Sequence, residues 1–195
     1  MDATDPKGLF EAALDQAAHL VEGVRPDQLG LATPCSEFDV RALLAHLVFA
    51  VERAGAIPAG LDAIEAVTVP AGVPDGAWAV LYHQAAGSAL AAWSDPALLD
   101  AELKLPWMST TGRDALSMYV MEVAAHGWDL ATATGQPSEG DPELGAICLD
   151  IAEQALAPFE RGGEVPFEAA VEPPAGAGPY ARLAAFLGRS PLAAG

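Results

Sequence analysis

Residues 118–130 read MYVMEVAAHGWDL, and this stretch decides the fold because it places strong metal ligands inside an apolar run. Glu122 and His126 are four residues apart, so on a helix they lie one turn apart on the same face. Asp129 follows three residues later and falls on that face, within an arc of roughly 60°. The rest of the circumference is largely apolar, which predicts a central helix that is buried on all sides. A carboxylate and an imidazole buried there must be paired, hydrogen-bonded or metal-bound, because burying either group alone is costly.

The length and charge indicate one acidic domain. The chain has 195 residues, with 9 Lys and Arg against 27 Asp and Glu, and a formal net charge of −18. This charge argues against nucleic acid and anionic membranes as partners, since both attract cationic surfaces. No internal repeat or linker divides the chain. We therefore expect a single domain over residues 1–195, with a helical-bundle core at about 5–157 and a C-terminal extension at about 158–195.

The N-terminal residues and the cysteines bear on the compartment. Residues 1–6 carry two Asp and are not followed by the apolar core of a signal peptide. No uncharged apolar run reaches the roughly 18 residues that a membrane span needs. Cys35 and Cys148 alone do not make a disulfide framework. We expect a cytoplasmic protein without a membrane partner.

A second informative stretch, TPCSEFDVRALLAHLV at residues 33–48, predicts the start of another helix. Ser36 and Asp39 are both plausible N-caps for a helix that runs to about Arg53. His46 lies at the flank of the apolar stripe of this helix, from which its side chain could reach a neighbouring helix. The stripe itself consists of Val40, Leu44, Leu47 and Val51.

The remaining pattern predicts a mainly α fold with a short β-hairpin. Helical spacing of apolar residues appears in three further segments, and alternation at residues 101–111 is typical of a two-stranded ribbon. Asp75 is expected to cap the third long helix. Besides the helix that runs to about Arg53, the predicted helices are at residues 5–22, 75–93, 113–134, 141–157 and 180–187.

His46 is the candidate third metal ligand beside the pair on the central helix. His46, Glu122 and His126 together supply two imidazoles and one carboxylate, a set used for catalytic zinc, in which a fourth position stays open. The same ligands would suit nickel, cobalt or ferrous iron. Asp129 and Asp39 are candidates for acceptors that hold an imidazole N–H and fix its tautomer. On spacing alone, a hydrogen-bonded Glu–His pair without metal remains the alternative, and Asp129 is alternatively an outward charge.

Three segments resemble a known family. Residues 33–48 resemble the opening signature of the mycothiol-dependent maleylpyruvate isomerase N-terminal family, part of the DinB-like metal-binding superfamily. Residues 122–135, EVAAHGWDLATATG, are similar to its second signature, and residues 182–191, RLAAFLGRSP, resemble the tail of its short members.

The resemblance implies a DinB-like four-helix bundle that holds a divalent metal, usually zinc, through His46, Glu122 and His126. It also implies mycothiol or a related low-molecular-weight thiol as cosubstrate, and a small-molecule electrophile as its partner in a transferase or isomerase reaction. The full isomerase carries an additional C-terminal domain, so a thiol-dependent transferase is expected here rather than isomerisation of maleylpyruvate. Arg182 and Arg189 are expected to lie on the surface or to anchor the tail. The alternative is that they supply a cation near the site.

Other functions remain open at this stage. A metal-dependent hydrolase would use the same ligands to activate water. A non-catalytic module that binds metal or a small molecule would have the open position plugged, for instance by Tyr119 or Asp129. A bare helical scaffold would keep the three ligand residues as a hydrogen-bonded core network.

Overall fold

The computed structural model of the chain describes residues 1–106, 108–157, 161 and 168–190. Within these residues the protein has seven α-helices and a two-stranded antiparallel sheet. The helices are α1 Pro6–Glu22, α2 Val40–Ala56, α3 Leu61–Glu65, α4 Trp78–Ala92, α5 Gly112–Thr134, α6 Pro142–Leu156 and α7 Pro179–Phe186. The strands are β1 Glu102–Lys104 and β2 Ser109–Thr111.

Four long helices form the bundle. Helix α5 packs against α1 and α2, and α4 packs against the same two helices, so the four close a ring around one core. Helix α6 adds to the outside of α5, and α7 packs against both α6 and α5. The short hairpin precedes α5, with Leu103 paired to Thr110 in its register. The predicted mainly α fold, a four-helix bundle with a short hairpin, is confirmed.

Helix α5 is the central helix that its sequence predicts. The Thr111 side chain caps its first turn by accepting a hydrogen bond from the backbone N–H of Asp114 at 3.1 Å. Gly135 ends it in a left-handed conformation with φ of +71°, which glycine adopts without steric cost. Burial extends around most of the helix, including its polar residues His126 and Asp129. The buried charges on this helix must therefore find their partners inside the protein.

Helix α2 carries the second candidate ligand. Asp39 caps it by accepting a hydrogen bond from the Ala42 N–H at 2.8 Å. Residues Val40–Ala59 form a helical stretch that could span a membrane by length and composition, but 44% of its most apolar window is buried within the protein. Core helices of soluble proteins pass the same test, so this stretch is weak support for a membrane span.

The start of α4 differs from the sequence prediction. Ala77 rather than Asp75 occupies the N-cap position, and no side chain caps this helix. Asp75 instead forms an ion pair with Arg41 at 2.6 Å, which ties the loop before α4 to the first turn of α2. The prediction of an Asp75 cap was wrong because a cation from another helix competes for the same carboxylate.

The interface between α2 and α4 depends on a close backbone approach at Gly55. A Cβ added at Gly55 would lie 2.9 Å from the Cα of Ala89, so the helices would have to separate. Trp93, which is 1% exposed, closes the same interface by donating its Nε1–H to the Ala54 carbonyl at 2.9 Å.

We therefore predict that Gly55→Ala lowers the free energy of unfolding by about 1–3 kcal/mol, because the added methyl overpacks two helices. Gly87→Ala is the matched control. Gly87 lies in α4 with no atom within 4 Å of an added Cβ, so helix propensity should raise stability by about 0.5–1 kcal/mol. Urea unfolding followed by circular dichroism measures both variants. Equal changes in the free energy of unfolding for the two substitutions would contradict the close contact between α2 and α4 at Gly55.

Candidate metal centre

Helix α5 places two of the predicted ligands against each other. His126 Nε2 lies 3.3 Å from Glu122 Oε1, as expected for residues one helical turn apart. His126 is 5% exposed, whereas the Glu122 side chain is 25% exposed. The pair thus has a buried end and an end that reaches solvent.

Helix α2 brings the third side chain to the same carboxylate oxygen. His46 Nε2 lies 2.9 Å from Glu122 Oε1, and the His46 side chain is 26% exposed. The two imidazole rings approach edge to face, with centroids 4.6 Å apart and planes at 74°. One ligand atom from each of His46, Glu122 and His126 lies within 4.8 Å of the other two. The structure therefore brings together the three residues that the sequence places 76 and four positions apart.

This arrangement fits a divalent metal ion. With zinc bonds of about 2.0–2.1 Å, tetrahedral ligand atoms stand about 3.3 Å apart, close to the separations measured here. Three protein ligands leave a fourth position, and the partial exposure of His46 and Glu122 gives that position access from solvent. Asp129 does not plug it, because its carboxylate contacts Nδ1, the other nitrogen of His126. The Tyr119 hydroxyl interacts with Arg53.

Glu122 and His126 on α5 each favour the charged form of the other. Burial opposes ionisation of Glu122, but the neighbouring His126 and His46 hold the pKa of this carboxyl well below its usual range. Burial also disfavours a charged His126, yet Glu122 and Asp129 outweigh it and raise the pKa of this imidazole to about 9. Without metal, His126 therefore carries a proton on each nitrogen at neutral pH. A metal ion must displace the proton from Nε2.

Asp129 holds the other side of the His126 ring. Its side chain is fully buried, and its Oδ2 accepts a hydrogen bond from His126 Nδ1 at 3.0 Å. This contact keeps the proton on Nδ1 when a metal ion occupies Nε2, which is the usual role of a carboxylate behind a ligating histidine. Asp39, the other predicted acceptor, is exposed, and its hydrogen bond goes to the α2 backbone rather than to an imidazole.

Sequence reasoning missed Phe38 near the centre, and it named Arg189 only as an alternative. Phe38 stacks on His46, with ring centroids 4.8 Å apart and planes at 29°, and meets His126 edge-on at 6.1 Å. Its backbone carbonyl lies 2.8 Å from the hydroxyl of buried Thr33, which shapes the loop before α2. Arg189, expected on the surface or as a tail anchor, is 9% exposed, and its Nε lies 3.4 Å from Asp129 Oδ2. Arg182 is exposed.

Cys35 lies on the Asp129 side of the centre. Its sulfur groups with His126 and Asp129, with all three ligand atoms within 4.8 Å of one another. Burial raises the pKa of the Cys35 thiol despite the nearby Arg189 charge. Cys35 is thus a thiol rather than a thiolate at neutral pH.

Comparison with known proteins identifies a family and two relatives. A family model described as the mycothiol maleylpyruvate isomerase N-terminal domain matches residues 10–131, which include all three candidate ligands and Asp129. Two uncharacterized proteins of Mycobacterium tuberculosis, from strains CDC 1551 / Oshkosh and H37Rv, are each 38% identical over 187 residues. The matches cover 95% of this chain and 98% of each relative. No solved structure matches the chain significantly.

We predict that His46→Ala weakens zinc binding by on the order of a hundredfold or more, because one of three ligands is lost. His83→Ala is the matched control, since His83 Nε2 also pairs with a glutamate, Glu22, at 2.7 Å but on the exposed surface. Competition with a chromophoric chelator measures both affinities. Equal affinity of the His46→Ala and His83→Ala variants would contradict the site.

A second prediction concerns pH. Because the pKa of His126 is raised to about 9, its Nε2 proton competes with the metal below that pH. Zinc affinity should therefore rise about tenfold per pH unit between pH 7 and 8, and level off above about 9. Calorimetry in buffers of different ionisation enthalpy should detect release of about one proton per zinc at pH 7.5. Binding that is independent of pH, with no proton released, would be inconsistent with this electrostatic account.

Proposed function

This chain belongs to the mycothiol maleylpyruvate isomerase N-terminal domain family, and from that premise we propose that it is a metal-dependent thiol transferase. The proposed metal is zinc, held by His46, Glu122 and His126. The proposed thiol is mycothiol or a related low-molecular-weight thiol, and the acceptor is a small electrophilic molecule. The convergence of the three ligand atoms at a point with one open side carries this proposal.

The charge of the ligand set suits a thiol. Two neutral imidazoles and one carboxylate leave about one positive charge on a divalent ion, which favours an anionic sulfur at the open position. A divalent ion bound there would lower the pKa of an arriving thiol and so favour its thiolate at neutral pH. The protein's own thiol, Cys35, groups with His126 and Asp129 rather than with His46 and Glu122, so the thiol proposed for the open position is an external one.

The side chains orient and shield the reacting groups. Asp129 keeps Nδ1 of His126 protonated, so that Nε2 faces Glu122 and the ligand position. Phe38 covers one face of the His46 ring and excludes water from it. The exposed edge formed by His46 and Glu122 is where both substrates would enter.

The proposed reaction needs no protein group beyond the metal ligands and the residues that position them. The thiol proton leaves to solvent at the open side, and the sulfur then forms a bond to the electrophilic carbon. The leaving group departs with the electron pair of its bond to that carbon. Displacement of this kind requires no second acid or base, so the groups described here suffice for the transferase reaction that we propose.

We predict that the cobalt-substituted protein binds mycothiol through its sulfur. Cobalt(II) accepts the same ligands as zinc, and a thiolate bound to it gives a charge-transfer absorption in the near ultraviolet. Titration with mycothiol should produce this band with saturation. S-methyl mycothiol, which has no thiol proton to lose, should produce none.

The titration and two activity assays together separate the alternatives. A binding module would give the band without speeding the reaction of mycothiol with a fluorogenic electrophile such as monochlorobimane. A hydrolase would cleave ester substrates in the absence of thiol. Absence of the band, in protein shown to hold cobalt, would overturn the thiol proposal.

A further inference from the structure

The C-terminal tail places one cationic side chain, that of Arg189, inside the protein. Helix α7 is followed by Gly188, whose φ of +84° turns the chain back so that the Arg189 N–H bonds to the Ala184 carbonyl at 2.9 Å. This turn directs the Arg189 side chain inward, where it is 9% exposed. A cation buried to this extent is uncommon in proteins unless it is paired.

The partner of Arg189 is the carboxylate behind the metal centre. Arg189 Nε lies 3.4 Å from Asp129 Oδ2, the same oxygen that accepts the hydrogen bond from His126 Nδ1 at 3.0 Å. The other oxygen, Oδ1, is buried and accepts no hydrogen bond among the described residues. Asp129 is fully buried, so its position depends on the two contacts made by Oδ2.

We infer that Arg189 is a positioning residue of the metal centre and acts on His126 through Asp129. Its charge balances a buried carboxylate that would otherwise meet only a neutral imidazole N–H once metal is bound. Its guanidinium holds the carboxylate in the orientation that aims His126 Nε2 at the ligand position. The inference rests on the metal centre of the proposed function, but not on its thiol chemistry.

With this role for Arg189, the C-terminal extension contributes a residue to the metal centre. The family model matches residues 10–131 and ends well before Arg189. The extension thus contributes to a centre whose candidate ligands all come from the bundle: in the part of the chain that the structure describes, the cation paired with Asp129 is Arg189 of the tail.

Anchoring of the tail does not account for Arg189. Tyr180 and Leu183 of α7 are fully buried. The Glu139 carboxylate accepts hydrogen bonds from the backbone N–H groups of Tyr180 and Ala181 at 3.1 and 2.9 Å, and the Tyr180 hydroxyl lies 2.8 Å from Gln16 Oε1. These contacts hold α7 against the bundle independently of Arg189. The contact between Arg189 and Asp129 is therefore not needed to hold α7 in place.

The test compares zinc affinity and the visible spectrum of the cobalt-loaded full-length chain in position-189 variants. Arg189→Gln should weaken zinc binding about tenfold and shift the cobalt d–d bands, because His126 is no longer held. Arg189→Lys, which restores the positive charge, should recover most of the affinity. Tyr180→Phe is the control for tail anchoring, and it should lower stability without changing affinity or spectrum.

The outcomes are distinguishable. If the unsubstituted protein binds no zinc, the proposed centre itself fails. If it binds zinc, and Arg189→Gln binds within twofold with an unchanged cobalt spectrum, only the inference about Arg189 is overturned. Should Arg189→Gln fail to fold, the Asp129→Asn/Arg189→Gln variant removes both buried charges and carries the test, with at least tenfold weaker binding expected. Affinity within twofold of the unsubstituted protein in that variant would overturn the inference.

Discussion

One carboxylate oxygen, Glu122 Oε1, is the point on which the rest of the structure depends. It lies 2.9 Å from a nitrogen of His46 on α2 and 3.3 Å from a nitrogen of His126 on its own helix. Because α5 is buried on most of its circumference, its buried charges must be paired inside the protein, either along the helix or from neighbouring elements. The interhelical contact between α2 and α5 and the candidate metal centre are therefore consequences of the same constraint.

The requirement that buried charges be paired also applies to the residues beyond His126. Its Nδ1 meets buried Asp129, and Asp129 in turn meets Arg189 from the tail. The line Arg189–Asp129–His126–Glu122 alternates in charge when His126 is protonated, which is how a protein interior holds several ionised groups at once. In a chain with 9 basic residues against 27 acidic ones, placing one of the few cations here indicates how strongly this line requires charge balance.

The sequence predicted what local periodicity controls. The apolar circumference of α5, the turn-to-turn spacing of Glu122 and His126, and the flank position of His46 are all set by 3.6-residue periodicity. It offered Arg189 as a cation near the site only as the alternative to a surface or anchoring role. It could not predict the contact with Asp129, 60 residues away, because a left-handed turn at Gly188 directs the Arg189 side chain and no sequence spacing relates the two residues. It missed Phe38 for a related reason: a loop held by Thr33, and not a helical face, places its ring on His46. Asp75 was assigned to a cap because a nearby helix start is visible in sequence, whereas its actual partner, Arg41, lies on another helix.

The central claim is that this cluster binds one metal ion, and elemental analysis of the purified protein tests it most directly. The protein would be expressed without added metal, purified without chelators, and analysed for divalent metals per chain. The account predicts about one equivalent of zinc or another divalent ion, retained through dialysis. A metal-free protein that also fails to take up added zinc would contradict it, and would leave His46, Glu122 and His126 as a hydrogen-bonded core network.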